Sequence, residues 1–217
     1  MDVLTFMSSH FSLLVSKTGE HLELSIAASI ISIVIGVPIG VWLGHMHRGE
    51  FIAVTVSNIG RALPSLALIA VFIGVVGLGF KNVLIALVIL AVPPILTNAY
   101  LSVEQVVPDI VRAGKGMGLT GRQVLFKVEL PLALPLLFAG VRTAVVLVVG
   151  SATLGAVAGG GGLGDIILRQ AAYGLSGVIA GAIWVAALAI LADVLLWGVQ
   201  KLITPRGLRS QQVTAIV

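Results

Sequence analysis

Long apolar runs separated by short polar ones set the pattern of this chain. Five segments approach the ~20 residues that cross a ~30 Å hydrocarbon core: residues 21–44, 51–77, 83–103, 130–158 and 177–203. Glycine and proline are scattered through them. That suits helices packed on helices, because small residues let backbones approach closely. Pro38, Pro64, Pro93, Pro94 and Pro135 are expected to kink or locally open their helices. Residues 1–15 are too short and too interrupted to span. The stretch 1–20 predicts an interfacial segment with Phe6, Phe11 and Leu14 as anchors, and it lacks the basic start and small-residue cleavage site of a signal peptide. The expected class is all-α: a polytopic integral membrane protein of about five transmembrane helices. No tandem repeat or soluble segment interrupts the pattern, so one membrane domain is expected over residues 1–217.

Composition agrees with that class. Hydrophobic residues make up 58% of the chain and charged residues 10%, against about 25% charged in soluble domains. Mean hydropathy is +1.13. The net charge of +4 does not indicate nucleic acid, because the cations sit in short loops between apolar runs instead of forming one basic face. Their placement gives an orientation. With the N-terminus outside, the inner segments hold eight cations (Arg48, Arg112, Lys115, Arg122, Lys127, Lys201, Arg206, Arg209) and the outer ones three (Lys17, Lys81, Arg169). The positive-inside rule therefore predicts N-out, C-in, with residues 204–217 as a cytoplasmic tail. The chain has no cysteine, which excludes disulfides, thiolate metal sites and cysteine nucleophiles.

The polar insert at residues 104–129 is the place where such a chain meets something outside the bilayer. Its core and the start of the next span read RAGKGMGLTGRQVLFKVELP at 112–131. Pro108 and Asp109 predict a helix start, with the acid near the positive end of the dipole. Gly118 is expected to stop that helix or turn the chain. A short helix lying across the membrane face could carry a push from a soluble partner into the adjoining spans.

A second glycine-rich stretch, ATLGAVAGGGGLGDII at 152–167, falls on the outer side. Gly159, Gly161 and Gly164 satisfy G-x-G-x-x-G, but no strand precedes them and no Gly-Lys-Ser/Thr follows, so neither a dinucleotide site nor a P-loop is indicated. Two readings remain: a flexible external turn, or a gate or partner contact formed by Gly159, Gly161, Gly162, Leu163 and Gly164, where glycines permit close backbone approach. Charges inside apolar spans are costly and tend to pair. Arg61, Arg142 and Asp193 are of this kind, and an internal Arg–Asp pair that fixes packing is the favoured reading, with Asn98 a further pathway candidate. Trp42, Phe72, Tyr100, Phe138, Trp184 and Trp197 form no cluster in sequence that reads as a cation cage. His45 and His47 flank a short loop without a carboxylate cluster and read as loop residues. No His/Asp/Ser or paired-carboxylate constellation suggests an enzyme.

The insert resembles a cytoplasmic element of type I ABC importer permeases, E-A-A-x3-G-x9-I-x-L-P. Arg112, Ala113 and Gly114 stand at the E-A-A positions, Gly118 at the glycine, and Val128-Glu129-Leu130-Pro131 at the end. Both spacings are kept, while Arg112 and Gly114 depart from the usual residues. RALPSLAL (61–68), PPILTNAY (93–100), FKVELPLALP (126–135), AGVRTA (139–144) and GGGGLGDII (159–167) are similar to permeases of osmoprotectant importers, which handle glycine betaine, carnitine, choline and related quaternary ammonium solutes. The resemblance implies a type I importer fold with a cytoplasmic coupling helix. It also implies coupling to the ATPase through Arg112, Ala113, Gly114, Gly118, Leu119 and Pro131, with no cofactor on this chain because ATP and Mg act on the partner. Implied partners are ATP-binding subunits, a second permease chain, a separate solute-binding protein and membrane lipid, in a bacterial or archaeal inner membrane. Methionine-type permeases share the docking pattern and the glycine turn and are the alternative. An ion-coupled secondary carrier is a weaker one, because Asp193 is the only deep acid and the spans form no repeat pair.

Overall fold

A computed structural model describes residues 2–47 and 49–204, except for the side chain of Arg61. Arg48, Arg206, Arg209 and all of the expected tail beyond Thr204 lie outside the described residues. Among the described residues the chain is helical, without strands. Two helices precede the first loop, α1 (Val3–Ser9) and α2 (Phe11–His45). A short pair follows, α3 (Glu50–Ala62) and α4 (Ser65–Val76), then α5 (Phe80–Glu104). The insert holds α6 (Pro108–Gly116) and α7 (Gly121–Val124). One π-helical turn (Leu125–Glu129) carries α7 into α8 (Leu130–Ser151). A 3₁₀ segment (Ala152–Ala158), α9 (Gly164–Leu168) and α10 (Gln170–Ile203) complete the chain.

Among the described residues four helical stretches are long and apolar enough to cross a membrane: α2, α5, α7 through the 3₁₀ segment, and α10. The expected second span, 51–77, is built from two helices. α3 and α4 meet at 88° across Leu63 and Pro64, and count as a fifth span only as a bent pair. Pro64 stands at that break because its ring cannot continue the helix before it and holds Leu63 extended. At the other prolines the helix is not interrupted: α2 runs on through Pro38, α5 through Pro93 and Pro94, and α8 through Pro135. α10 instead bends at Gly174.

α5 is the centre of the molecule, with 56% of its apolar window buried against 17% for α10. It packs on α2 along a ridge of glycines one helical turn apart. A Cβ at Gly36 would stand 2.8 Å from the Ile95 side chain, one at Gly40 would run into the Leu96 carbonyl, and one at Gly44 would stand 2.7 Å from the Tyr100 carbonyl. In lipid, where apolar burial gives helices no net drive to associate, such close van der Waals packing is what holds them. Buried Leu24, Ala28, Val83, Leu87 and Val148 fill one end of the α2–α5–α8 contact, and Val41, Ala99, Val103 and Leu137 the other.

The N-terminal expectation is partly overturned. Phe6 and Leu14 are not anchors in lipid but core residues, packed with Val149, Leu163, Ile166 and Ala180. α1 folds back on α10, where Gly177 leaves room for the Phe6 ring. Phe11 alone of the three is exposed, edge-on to Trp184. The first long helix also begins ten residues before the expected start at His21, since α2 opens at Phe11.

Candidate functional site

The insert is built as a stiff elbow. Pro108 and Asp109 open α6, and Asp109 pairs with Arg112 one turn on. Gly118, at φ 84°, ends it. Its N–H donates to the Lys115 carbonyl (2.9 Å) and the Leu119 N–H to the Gly114 carbonyl (3.2 Å), the paired bonds of a Schellman cap that only a residue at ease in the left-handed region can close. Thr120 then starts α7 with a reciprocal cap: its hydroxyl accepts from the Gln123 N–H, and the Gln123 side chain accepts from the Thr120 N–H. Gly114 and Leu119 face inward onto Val111, Val124 and Val128. Arg112, Ala113, Lys115, Met117 and Gly118 face out, Met117 at 77% exposure. Pro131 sits in the first turn of α8. At the root of the elbow Glu129 is 1% exposed, and its carboxylate accepts from His45 Nδ1 at 2.5 Å, which ties the π-helical turn to the end of α2. Sequence reading missed this pair, because His45 and Glu129 are 84 residues apart.

The glycine turn at the other end is clasped. Glu20 accepts from the Gly162 N–H (2.8 Å) and from Lys17 (2.8 Å), and Lys17 also reaches Asp165 (2.8 Å). His21 donates to the Val149 carbonyl (2.9 Å), and the Trp184 indole to Thr18 (2.8 Å). Gly162 has φ 81°, and its missing Cβ leaves room for the His21 ring. Gly159 and Gly161 also have positive φ. Leu163 is fully buried, and a Cβ at Gly164 would collide with the Thr153 carbonyl. The turn is thus bonded and packed to the rest of the fold at several points. The clasp was missed because Lys17 and Glu20 come from the far end of the chain, more than 140 residues from Asp165 and Gly162.

Between the two lies a cavity of about 440 Å³. It is lined by Ser57 and Gly60 of α3, Leu63 at the break, Ser65 of α4, Leu90, Pro94, Thr97 and Asn98 of α5, and Leu147 and Ser151 of α8. The 88° break opens this space by turning α4 away from the line of α3. Asn98 Nδ2 donates to the Pro94 carbonyl (2.7 Å), and Gly140 must be glycine for the Asn98 side chain to sit there. Arg142 and Asp193 line a different place. They form a two-point ion pair (2.9 and 2.8 Å) between α8 and α10, extended by Gln200, which bonds Arg142 and the Pro135 carbonyl. Among the described residues no three His, Cys, Asp or Glu gather as metal ligands.

This arrangement of spans, elbow and central cavity matches known proteins. The family described as binding-protein-dependent transport system inner membrane component matches residues 36–206. The chain belongs to this family. It is therefore a multi-pass inner-membrane permease of ABC importers, not an enzyme, and ATP hydrolysis takes place on a partner subunit. Among its relatives is the glycine betaine/carnitine/choline transport system permease protein OpuCB of Bacillus subtilis, 39% identical over 97% of this chain and 98% of that one. The osmoprotectant import permease protein OsmW of Salmonella typhimurium is 36% identical over 96% of this chain and 100% of that one. Of solved structures, the inward-facing MetNI methionine ABC transporter superposes with a TM-score of 0.80 at 25% identity, over 91% of this chain and 99% of that chain.

Proposed function

We propose that this permease imports quaternary ammonium osmoprotectants of the glycine betaine, carnitine and choline class. The observation that carries the reading is the full-length likeness to permeases named for those solutes, at 39% and 36% identity. A pair of permease chains encloses the pathway. ATP-binding subunits dock on the elbow through Arg112, Ala113, Gly118 and the exposed residues beside them, and a separate solute-binding protein meets the rim around Gly159–Gly164. The N-terminus lies outside and the C-terminus inside, supported by the cation bias. A methyl-covered ammonium brings no N–H donors to be left unpaired in an apolar passage.

Uptake by the permease reconstituted with its ATPase and receptor tests the solute class. ATP-dependent uptake of betaine, carnitine or choline, and not of methionine, is expected. Methionine uptake without the others would move the chain to the methionine-type reading. Topology is tested with single cysteines at Ser8 and Gly121, since no native thiol interferes. An impermeant reagent on intact cells is expected to label only Ser8→Cys, and labelling of Gly121→Cys would overturn the orientation.

A further inference from the structure

We infer that the central cavity holds the carboxylate end of a zwitterionic solute on three serine hydroxyls, and so discriminates betaine and carnitine from choline within the permease itself. This rests on the reading of the chain as an osmoprotectant permease and adds a site to it. Ser57, Ser65 and Ser151 come from three different helices and reach one cavity, where their hydroxyls make no hydrogen bond among the described residues. The polar groups beside them are otherwise engaged: Thr97 donates to the Ala53 carbonyl (3.2 Å) and Asn98 to the Pro94 carbonyl. Three unused O–H donors therefore converge on a space whose other walls are Leu63, Leu90 and Leu147.

A group that only accepts hydrogen bonds suits such donors, and an ionised carboxylate is the acceptor-only group with room for several. Bonds to it are about twice as strong as neutral ones. The leucine walls suit the other end of the same molecule, a trimethylammonium group with no donor to satisfy. No charged side chain lines the cavity among the described residues. The carboxylate is thus held by neutral donors, firmly enough to be oriented and weakly enough to leave, as conduction through a binding site requires. Choline carries a hydroxyl in place of the carboxylate and gains less from the serines.

The test compares the wild-type importer with the combined Ser57→Ala, Ser65→Ala, Ser151→Ala variant in proteoliposomes. Betaine and carnitine uptake is expected to fall about tenfold or more, since each bond to a charged group is worth about that much, while choline uptake stays within about twofold. An equal fall for all three solutes, or no fall, would overturn the proposal. A second measurement needs neither receptor nor an intact triple variant. Ser151→Cys in the otherwise cysteine-free permease is expected to react more slowly with a methanethiosulfonate reagent in the presence of glycine betaine, and at an unchanged rate with tetramethylammonium. Equal protection by both, or by neither, counts against the carboxylate site. A wild-type importer that takes methionine and none of the three solutes would refute the functional reading. One that takes betaine through indifferent serines refutes only this site.

Discussion

The two glycine-rich stretches look alike in sequence and are built in opposite ways. At the elbow the glycines cap and turn a short helix whose cationic and methionine side chains project outward from the fold. At the rim they let the chain fold in upon itself, with Leu163 and Ile166 fully buried and the backbone tied to Glu20. One surface is presented and the other is fastened. Exposed side chains on a capped backbone can be gripped by a partner, whereas the rim is bonded to α2 and packed against it.

That contrast can be broken most forcefully at Gly164. A side chain there must displace the Thr153 carbonyl, so Gly164→Val is expected to cost about 3 kcal/mol, at the upper end for overpacking, and to abolish recovery of folded permease in detergent. Normal yield would show the rim to be looser than described. Next in size is His45→Ala, which leaves the Glu129 carboxylate buried without a partner. A loss of about 3 kcal/mol is expected, read as a lower thermal midpoint of the purified permease, with Glu129→Gln in the same background restoring part of it.

Gly118→Trp sharpens the comparison from the exposed side. The position is open to solvent, with no atom near a new Cβ, but its φ is +84°. About 1–2 kcal/mol of backbone strain is expected, with the protein still in the membrane. ATP hydrolysis should continue while uptake falls at least tenfold, and coupled transport at the wild-type rate would refute the docking role. The smallest effect is expected at Lys17→Gln. This partly exposed cation bridges Glu20 and Asp165, so about 1 kcal/mol or less is at stake, and the difference from wild type should shrink as salt is raised.

Much of the architecture was legible because lipid imposes long apolar helices and makes every interruption informative. Pro108, Asp109 and Gly118 bound α6 through local chemistry that a sequence displays. An opening at Pro64 was expected, but nothing in the sequence set it apart from Pro38, Pro93, Pro94 and Pro135, which lie within continuous helices. Whether a proline interrupts depends on what packs around it. Phe6 and Leu14 misled for a related reason: an apolar residue near the start of a membrane chain can face lipid or its own fold, and only the return of α1 onto α10 decides. The serines of the cavity were invisible in part, because Ser57 and Ser65 become neighbours of Ser151 only when the helix turns between them.

The glycine ridge of α2 has a mechanical consequence. With Gly36, Gly40 and Gly44 seated against the backbone of α5, the two helices cannot slide past one another and act as a single beam. One end adjoins the elbow, where α5 stops at Glu104 and His45 grips Glu129. The other end carries Glu20, about 36 Å away at about 1.5 Å per residue, fastened to the glycine turn. A single packed pair of helices thus joins the elbow to the glycine turn, and a load on one end has a continuous path of close contacts to the other.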